Sequence, residues 1–130
     1  MILEEVTRHL AFLGLGRIPD EIAEGDLYYG LMPETPDEAV CILPTDASMP
    51  GSGQGARLQL IVRARTVRDA TLRMQGMLDA LDGFEGFLSG SGSYAVIRVD
   101  NGVHGLGTDE RRRVLYSANL RVWYCGGERG

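Results

Sequence analysis

Residues 57–65 alternate in polarity, and at Thr66 the period changes to that of a helix. Leu58, Leu60, Val62 and Ala64 share one face of the alternating stretch, while Arg57, Gln59, Ile61, Arg63 and Arg65 share the other. Side chains along a strand point to opposite faces in turn, so the pattern predicts a strand with one apolar and one half-polar side. A half-polar second side means a sheet covered by helices on one face only. Across residues 66–82 the apolar positions Ala70, Met74, Met77, Leu78 and Leu81 form one helical stripe. Thr66 is placed as its N-cap, and Asp69 three residues on completes a capping-box-like pair. Residues 114–124 alternate again, with Val114, Tyr116, Ala118, Leu120, Val122 and Tyr124 on one face and Ser117, Asn119 and Arg121 on the other.

The remaining segments fit around this frame. Residues 2–13 carry Ile2, Val6, Leu10 and Leu13 at helical spacing, with Glu4 and Glu5 in the first turn and Gly14 and Gly16 as the stop. Short strands are expected over residues 26–32 and 39–43, and over 94–99 with a brief continuation over 103–106. Asp100, Asn101 and Gly102 read as a tight turn, and residues 33–38 and 109–113 as charged turns. Residues 44–55 read as a long mobile loop and residues 89–93 as a flexible Ser/Gly tip. The order predicts an α+β fold: a mixed, largely antiparallel sheet with two helices packed on one face. One domain is expected over residues 1–125, followed by a flexible C-terminal tail over residues 126–130.

Composition narrows the function more by exclusion than by motif. The formal charge is −5 in 130 residues, and the pI is near 5.0, which argues against a duplex-DNA binder. All 13 basic residues are Arg; this suits either the codon usage of a GC-rich genome or bidentate contacts at subunit interfaces. Cys41 lies in an apolar run and reads as a buried hydrophobe; it and Cys125 lack metal-ligand spacing with His9 and His104, so no metal, cofactor or disulfide is expected. The acidic start Met1-Ile2-Leu3-Glu4-Glu5 does not read as a signal peptide, and no apolar run is long enough to span a bilayer. No nucleophile elbow, P-loop or dinucleotide fingerprint is present, so no catalytic residue is expected.

What remains is surface. Arg57, Gln59, Ile61 and Arg63 lie on the half-polar side of a strand, a composition suited to a subunit or partner interface. Trp123 falls on the polar face of the last strand, where it is either covered by twist and tail or serves as an interface anchor. The run Arg111, Arg112 and Arg113 has three readings: a solvated turn, a patch meeting acids of a neighbouring subunit, or a weak contact with passing nucleic acid.

Several strings, taken in order, look familiar. An opening helix Ile2-Leu3-Glu4-Glu5-Val6 stops at Gly14-Leu15-Gly16, and Leu27-Tyr28-Tyr29-Gly30-Leu31-Met32-Pro33 follows. Arg57-Leu58-Gln59-Leu60-Ile61-Val62-Arg63-Ala64 then leads into a helix ending Leu78-Asp79-Ala80-Leu81. Finally Gly105-Leu106-Gly107-Thr108-Asp109-Glu110-Arg111 precedes Tyr116-Ser117-Ala118-Asn119-Leu120-Arg121-Val122. In this arrangement the chain resembles the tail terminator and minor capsid-type proteins of phage head–tail morphogenesis. The resemblance implies a structural subunit that forms a hexameric ring, caps the growing tail tube and meets the head connector or head-closure protein. It implies no cofactor and no catalytic residue, a place at the head–tail junction of the virion after assembly in the host cytoplasm, and DNA only passing through the ring lumen. The loop Ser48, Met49, Pro50, Gly51, Ser52, Gly53, Gln54 and Gly55 is expected to order on docking to tube or connector. Another neck component, head-closure or adaptor, is the near alternative. A small ligand-binding or enzymatic α+β barrel-type dimer is the remote one.

Overall fold

Alternation in one strand sets the sides of the whole sheet. The computed structural model describes residues 2–45 and 55–126, without the side chain of Asn101. Its elements are α1 (Ile2–Phe12), β1 (Leu27–Tyr29), β2 (Ala39–Pro44), β3 (Gly55–Ala64), α2 (Val67–Leu81), β4 (Glu85–Phe87), β5 (Tyr94–Thr108) and β6 (Val114–Cys125). They form a six-stranded sheet in the order β1-β2-β3-β6-β5-β4. Only β1 and β2 run parallel; every other neighbouring pair is antiparallel. The fold is α+β, with a mixed and largely antiparallel sheet, as the sequence predicts.

Register carries the apolar face from strand to strand. Val40 stands opposite Val62 and Ile42 opposite Leu60; Leu60 in turn faces Ala118, and Leu58 faces Leu120. Ile97 and Val122 extend the face onto β5. Both helices cover it: α1 lies against β1 and β2, and α2 against β3, β6 and β5. Val6 and Leu10 on α1, and Ala70, Met74, Met77 and Leu81 on α2, are buried in the same core cluster. Each fully buried large side chain there contributes about 2 kcal/mol.

The helix ends follow local chemistry. The Thr66 hydroxyl accepts the Asp69 N–H at 3.0 Å, which satisfies one orphan donor of α2. At the end of α1, Gly14 N–H donates to Ala11 O and Leu15 N–H to Leu10 O. These are the paired bonds of a Schellman motif, with Gly14 in the left-handed region at φ 81°.

Several expectations need correction. The strand expected over residues 26–32 shortens to β1, because Gly30 takes φ 85° and turns the chain away. Residues Glu85–Phe87 form β4, paired with Tyr94–Val96, a strand that the sequence pattern does not announce. Asp100, Asn101 and Gly102 make no turn: they lie inside the 15-residue β5, with a register shift between Asp100 and Val103. Gly102 at φ 78° accommodates this bulge, and His104 therefore sits in a strand. Pro44 and Gly55, placed at the ends of a loop, close β2 and open β3. The rest of that loop, residues 46–54, and residues 127–130 of the expected tail lie outside the described residues.

The segment read as a flexible tip, residues 89–93, is fastened to α1. His9 Nδ1 lies 3.1 Å from both the backbone nitrogen and the hydroxyl of Ser89. One turn earlier, Glu5 Oε1 accepts the Ser93 hydroxyl at 2.6 Å. Burial would raise the Glu5 carboxyl, but hydrogen bonds from Ser93 and Ser91 outweigh it and hold the group below its ordinary value. Burial lowers the His9 value, against a ring 4.7 Å from Phe84.

Accepting the Ser89 N–H requires neutral His9 with its proton on Nε2; protonation turns Nδ1 into a donor and ejects the contact. The folded value lies below the unfolded one, so the unfolded chain binds the extra proton. This stability is complete above the ordinary histidine range and is lost as pH falls through it. Thermal melts compared at about pH 7.5 and about pH 5 are expected to show this loss in the native chain. In His9→Asn the amide oxygen keeps the acceptor without titrating, so its melts should differ less between the two conditions. Equal slopes for both proteins would refute the assignment.

Candidate functional site

Three features occupy the side of the sheet away from the helices and the end where β3 finishes. The first is a knot of charge around residues 34–37. Arg63 is 4% exposed and faces Ala39 on β2 and Leu115 on β6. Its guanidinium donates to the carbonyls of Asp37 at 3.2 Å, Glu34 at 3.4 Å and Pro36. Arg113, 3% exposed, reaches the same turn from the other side. It pairs with Asp109 at 2.9 Å and Asp37 at 3.3 Å, and donates to the Glu34 carbonyl. Arg65 adds a contact to Asp37 at 2.9 Å.

The electrostatics follow from those contacts. Burial lowers the Arg63 value, with the Arg113 cation adding to the effect; an arginine remains protonated all the same. The hydrogen bond from Arg65 holds Asp37 below the carboxylate range. Backbone N–H groups of Arg113 and Arg111 do the same for Asp109. An open cleft of about 520 Å³ adjoins the knot, lined by Glu34, Thr108, Asp109, Glu110, Arg111 and Arg113. Its charges are largely engaged with one another. Among the described residues no group of three His, Cys, Asp or Glu is placed to hold a metal ion.

The second feature is the middle of the open face. Arg57, Gln59, Ile61 and Trp123 are all half-buried. Asp100 lies between two arginines, 3.6 Å from Arg57 Nη1 and 2.9 Å from Arg121 Nε, the latter an ion-pair contact without hydrogen-bond alignment. The Arg121 guanidinium also stands 5.3 Å from the Trp123 ring centroid, a cation–π arrangement. Asp100 and Arg121 were absent from the candidates drawn from sequence. Reading Asp100 as a turn residue hid its position on β5, opposite Asn119 and next to Arg121.

The third feature is the β5–β6 hairpin end. Residues 102–108 are all exposed, and the turn beyond them exposes Arg111 and Arg112. Arg112 takes φ 63°, while Asp109 anchors the turn by accepting from Arg111 and Arg113 N–H. The sequence candidates thus divide: Arg63 and Arg113 are spent inside the subunit, and Arg111 and Arg112 face outward. Of the proposed docking loop, Ser48, Met49, Pro50, Gly51, Ser52, Gly53 and Gln54 lie outside the described residues.

Cys41 is sealed in β2, and burial pushes its thiol up to about 11; Cys125 is exposed. A thiol so protonated is a structural hydrophobe rather than a nucleophile.

A family model described as "Bacteriophage tail terminator protein" matches residues 9–124, from within α1 to the penultimate residue of β6. The chain belongs to the bacteriophage tail terminator family. The matched span includes α2, β1 to β5 and β6 up to Tyr124, with the charge knot, the open face and the hairpin. No curated protein matches the chain. Membership makes the protein a virion component of a structural family. No helix among the described residues is long and apolar enough to cross a membrane.

Proposed function

We propose that the protein closes the tail tube of a phage as a hexameric ring at the head–tail junction, with one side on the tube and the other on the head connector or head-closure protein. The observation that carries this reading is the tail terminator family match over residues 9–124. A ring of identical subunits needs two different, complementary surfaces that close on themselves. The half-polar face with Arg57, Gln59, Ile61 and Trp123, and the outward Arg111 and Arg112, supply surface of the right composition. Arg63 and Arg113 act from within, by fixing the turn that this surface borders. The loop of residues 48–55 docks on tube or connector. The reading assigns the protein no catalysis and no cofactor. The acidic balance, −5 overall, lets DNA pass the lumen without being held.

The test mixes the purified chain with tail tubes grown from tube protein alone. Tubes that stop lengthening and carry a ring at one end in negative stain are the expected result. Tubes that keep growing, with the chain bound only to isolated head connectors, would overturn the terminator role in favour of an adaptor.

A further inference from the structure

The two side edges of the sheet are finished differently. At the β1 edge, Leu27 N–H points away from β2 and donates to Arg17 O. This seats the connector of residues 17–26 on that edge as a tight loop. Its stem is closed by Arg17 and Asp26, and its tip by Asp20, whose carboxylate accepts the N–H of Ile22 and Ala23 at 2.8 Å each. The tip presents Ile22, 93% exposed, among the exposed acids Asp20, Glu21 and Glu24.

At the other side, β4 covers β5 only from Tyr94 to Val96. Backbone bonds from Gly83 N–H to Ile97 O and from Ile97 N–H to Phe84 O, and one from Val99 N–H to the Asp82 carboxylate, complete the covered part. Beyond it, Val103–Thr108 offers its outer backbone edge to no partner among the described residues. That ribbon exposes Val103 and Leu106, and the turn at its end exposes Arg112, which makes no ion pair among the described residues. Arg112 is held in the left-handed region, where glycine or asparagine is easier to place. Nothing among the described residues accounts for an arginine there.

The two edges stand at one level. A single row of paired residues, Leu27–Val40–Val62–Tyr116–Gly105, runs across the sheet from the loop to the ribbon. One edge presents Ile22 among exposed acids; the other presents Val103 and Leu106, with the outward Arg112 in the turn beyond them, two residues after the exposed Glu110.

We infer that the loop of residues 17–26 on one copy seats against the β5 ribbon of the next, with Ile22 against Val103 and Leu106 and with Glu21 and Glu24 facing Arg112. The occupant is a second copy of this chain, because an acid-flanked apolar tip and an unpaired apolar ribbon with an outward arginine beyond it lie on opposite edges of the same subunit. A head-to-tail contact of this kind, repeated about an axis, closes into a ring. The inference rests on the ring reading above and says which surfaces make the joint.

Sedimentation over a wide concentration series, with and without tail tubes, tests it on the full chain. Arg112→Glu and Glu21→Arg alter exposed side chains, and unchanged denaturation midpoints verify that each variant folds. Each single reversal is expected to weaken association at least about tenfold, and the double reversal to restore most of it. Arg112→Gly should weaken association while leaving the monomer as stable as the native chain or more so. Single variants that assemble like the native chain would overturn this joint and leave the ring reading standing. Weakening without rescue in the double variant would overturn the pairing. A native chain that stays monomeric throughout, tubes included, would overturn both.

Discussion

Arg63→Ala lowers the stability of the chain by about 3 kcal/mol, whereas Arg111→Ala changes it by about 0.5 kcal/mol or less. The two arginines look alike in sequence and differ in what surrounds them. The Arg63 guanidinium is buried and serves the carbonyls of Glu34, Pro36 and Asp37; removing it leaves the Pro36 and Asp37 acceptors around a hole, while Glu34 keeps the bond from Arg113. Arg111 is mostly in solvent, and its contact to the exposed Glu34 spans 3.8 Å. Urea denaturation of the two variants beside the native protein measures both. An Arg63→Ala midpoint no lower than that of Arg111→Ala would mean that water replaces the guanidinium, and that the turn does not depend on it.

Gly25→Ala has the second large effect, about 2 kcal/mol. A Cβ at this position would stand inside the Arg17 carbonyl and against the nitrogen and Cδ of Pro19, all of them backbone or ring atoms that cannot swing aside. The stem between Arg17 and Asp26 must therefore open. Limited proteolysis with trypsin reads the opening directly, as faster cleavage after Arg17 than in the native chain. The same variant should join its neighbours poorly, because the displaced loop carries Ile22. Native-like cleavage together with native-like stability would show that the loop re-forms around the methyl group.

How far the sequence reveals this fold depends on the length of each repeating pattern. β3, β6 and α2 span enough residues for their period to stand out, and register then places Leu58, Leu60 and Val62 on the helix side as expected. β4 has three residues, one of them glycine, and offers no period to read. Asp100-Asn101-Gly102 was misread because a glycine with positive φ serves a bulge as well as it serves a turn. The site was harder still. A charge on an alternating strand says "outside", and nothing near Arg63 in sequence warns that carbonyls of residues 34–37 fold over it. Nothing in the sequence singles out the exposed loop at residues 20–24, since its meaning lies in what stands across the sheet from it. Ser89 and Ser93 looked mobile because their partners, His9 and Glu5, lie far away at the start of the chain.

The position of β6 has a consequence for synthesis. It follows every other element along the chain, yet it sits between β3 and β5 and joins residues as distant as Arg57 and Arg121. Until β6 has left the ribosome, the nascent chain holds two separate half-sheets, each with an unpaired inner edge. Closing them requires a long chain loop to be gathered in, which makes folding slow for a domain of this size. Neither half-sheet can stand in for the whole. A chain that stops short of β6 therefore cannot present the loop and the ribbon at one level, and prematurely terminated subunits are kept out of the assembly by their own topology.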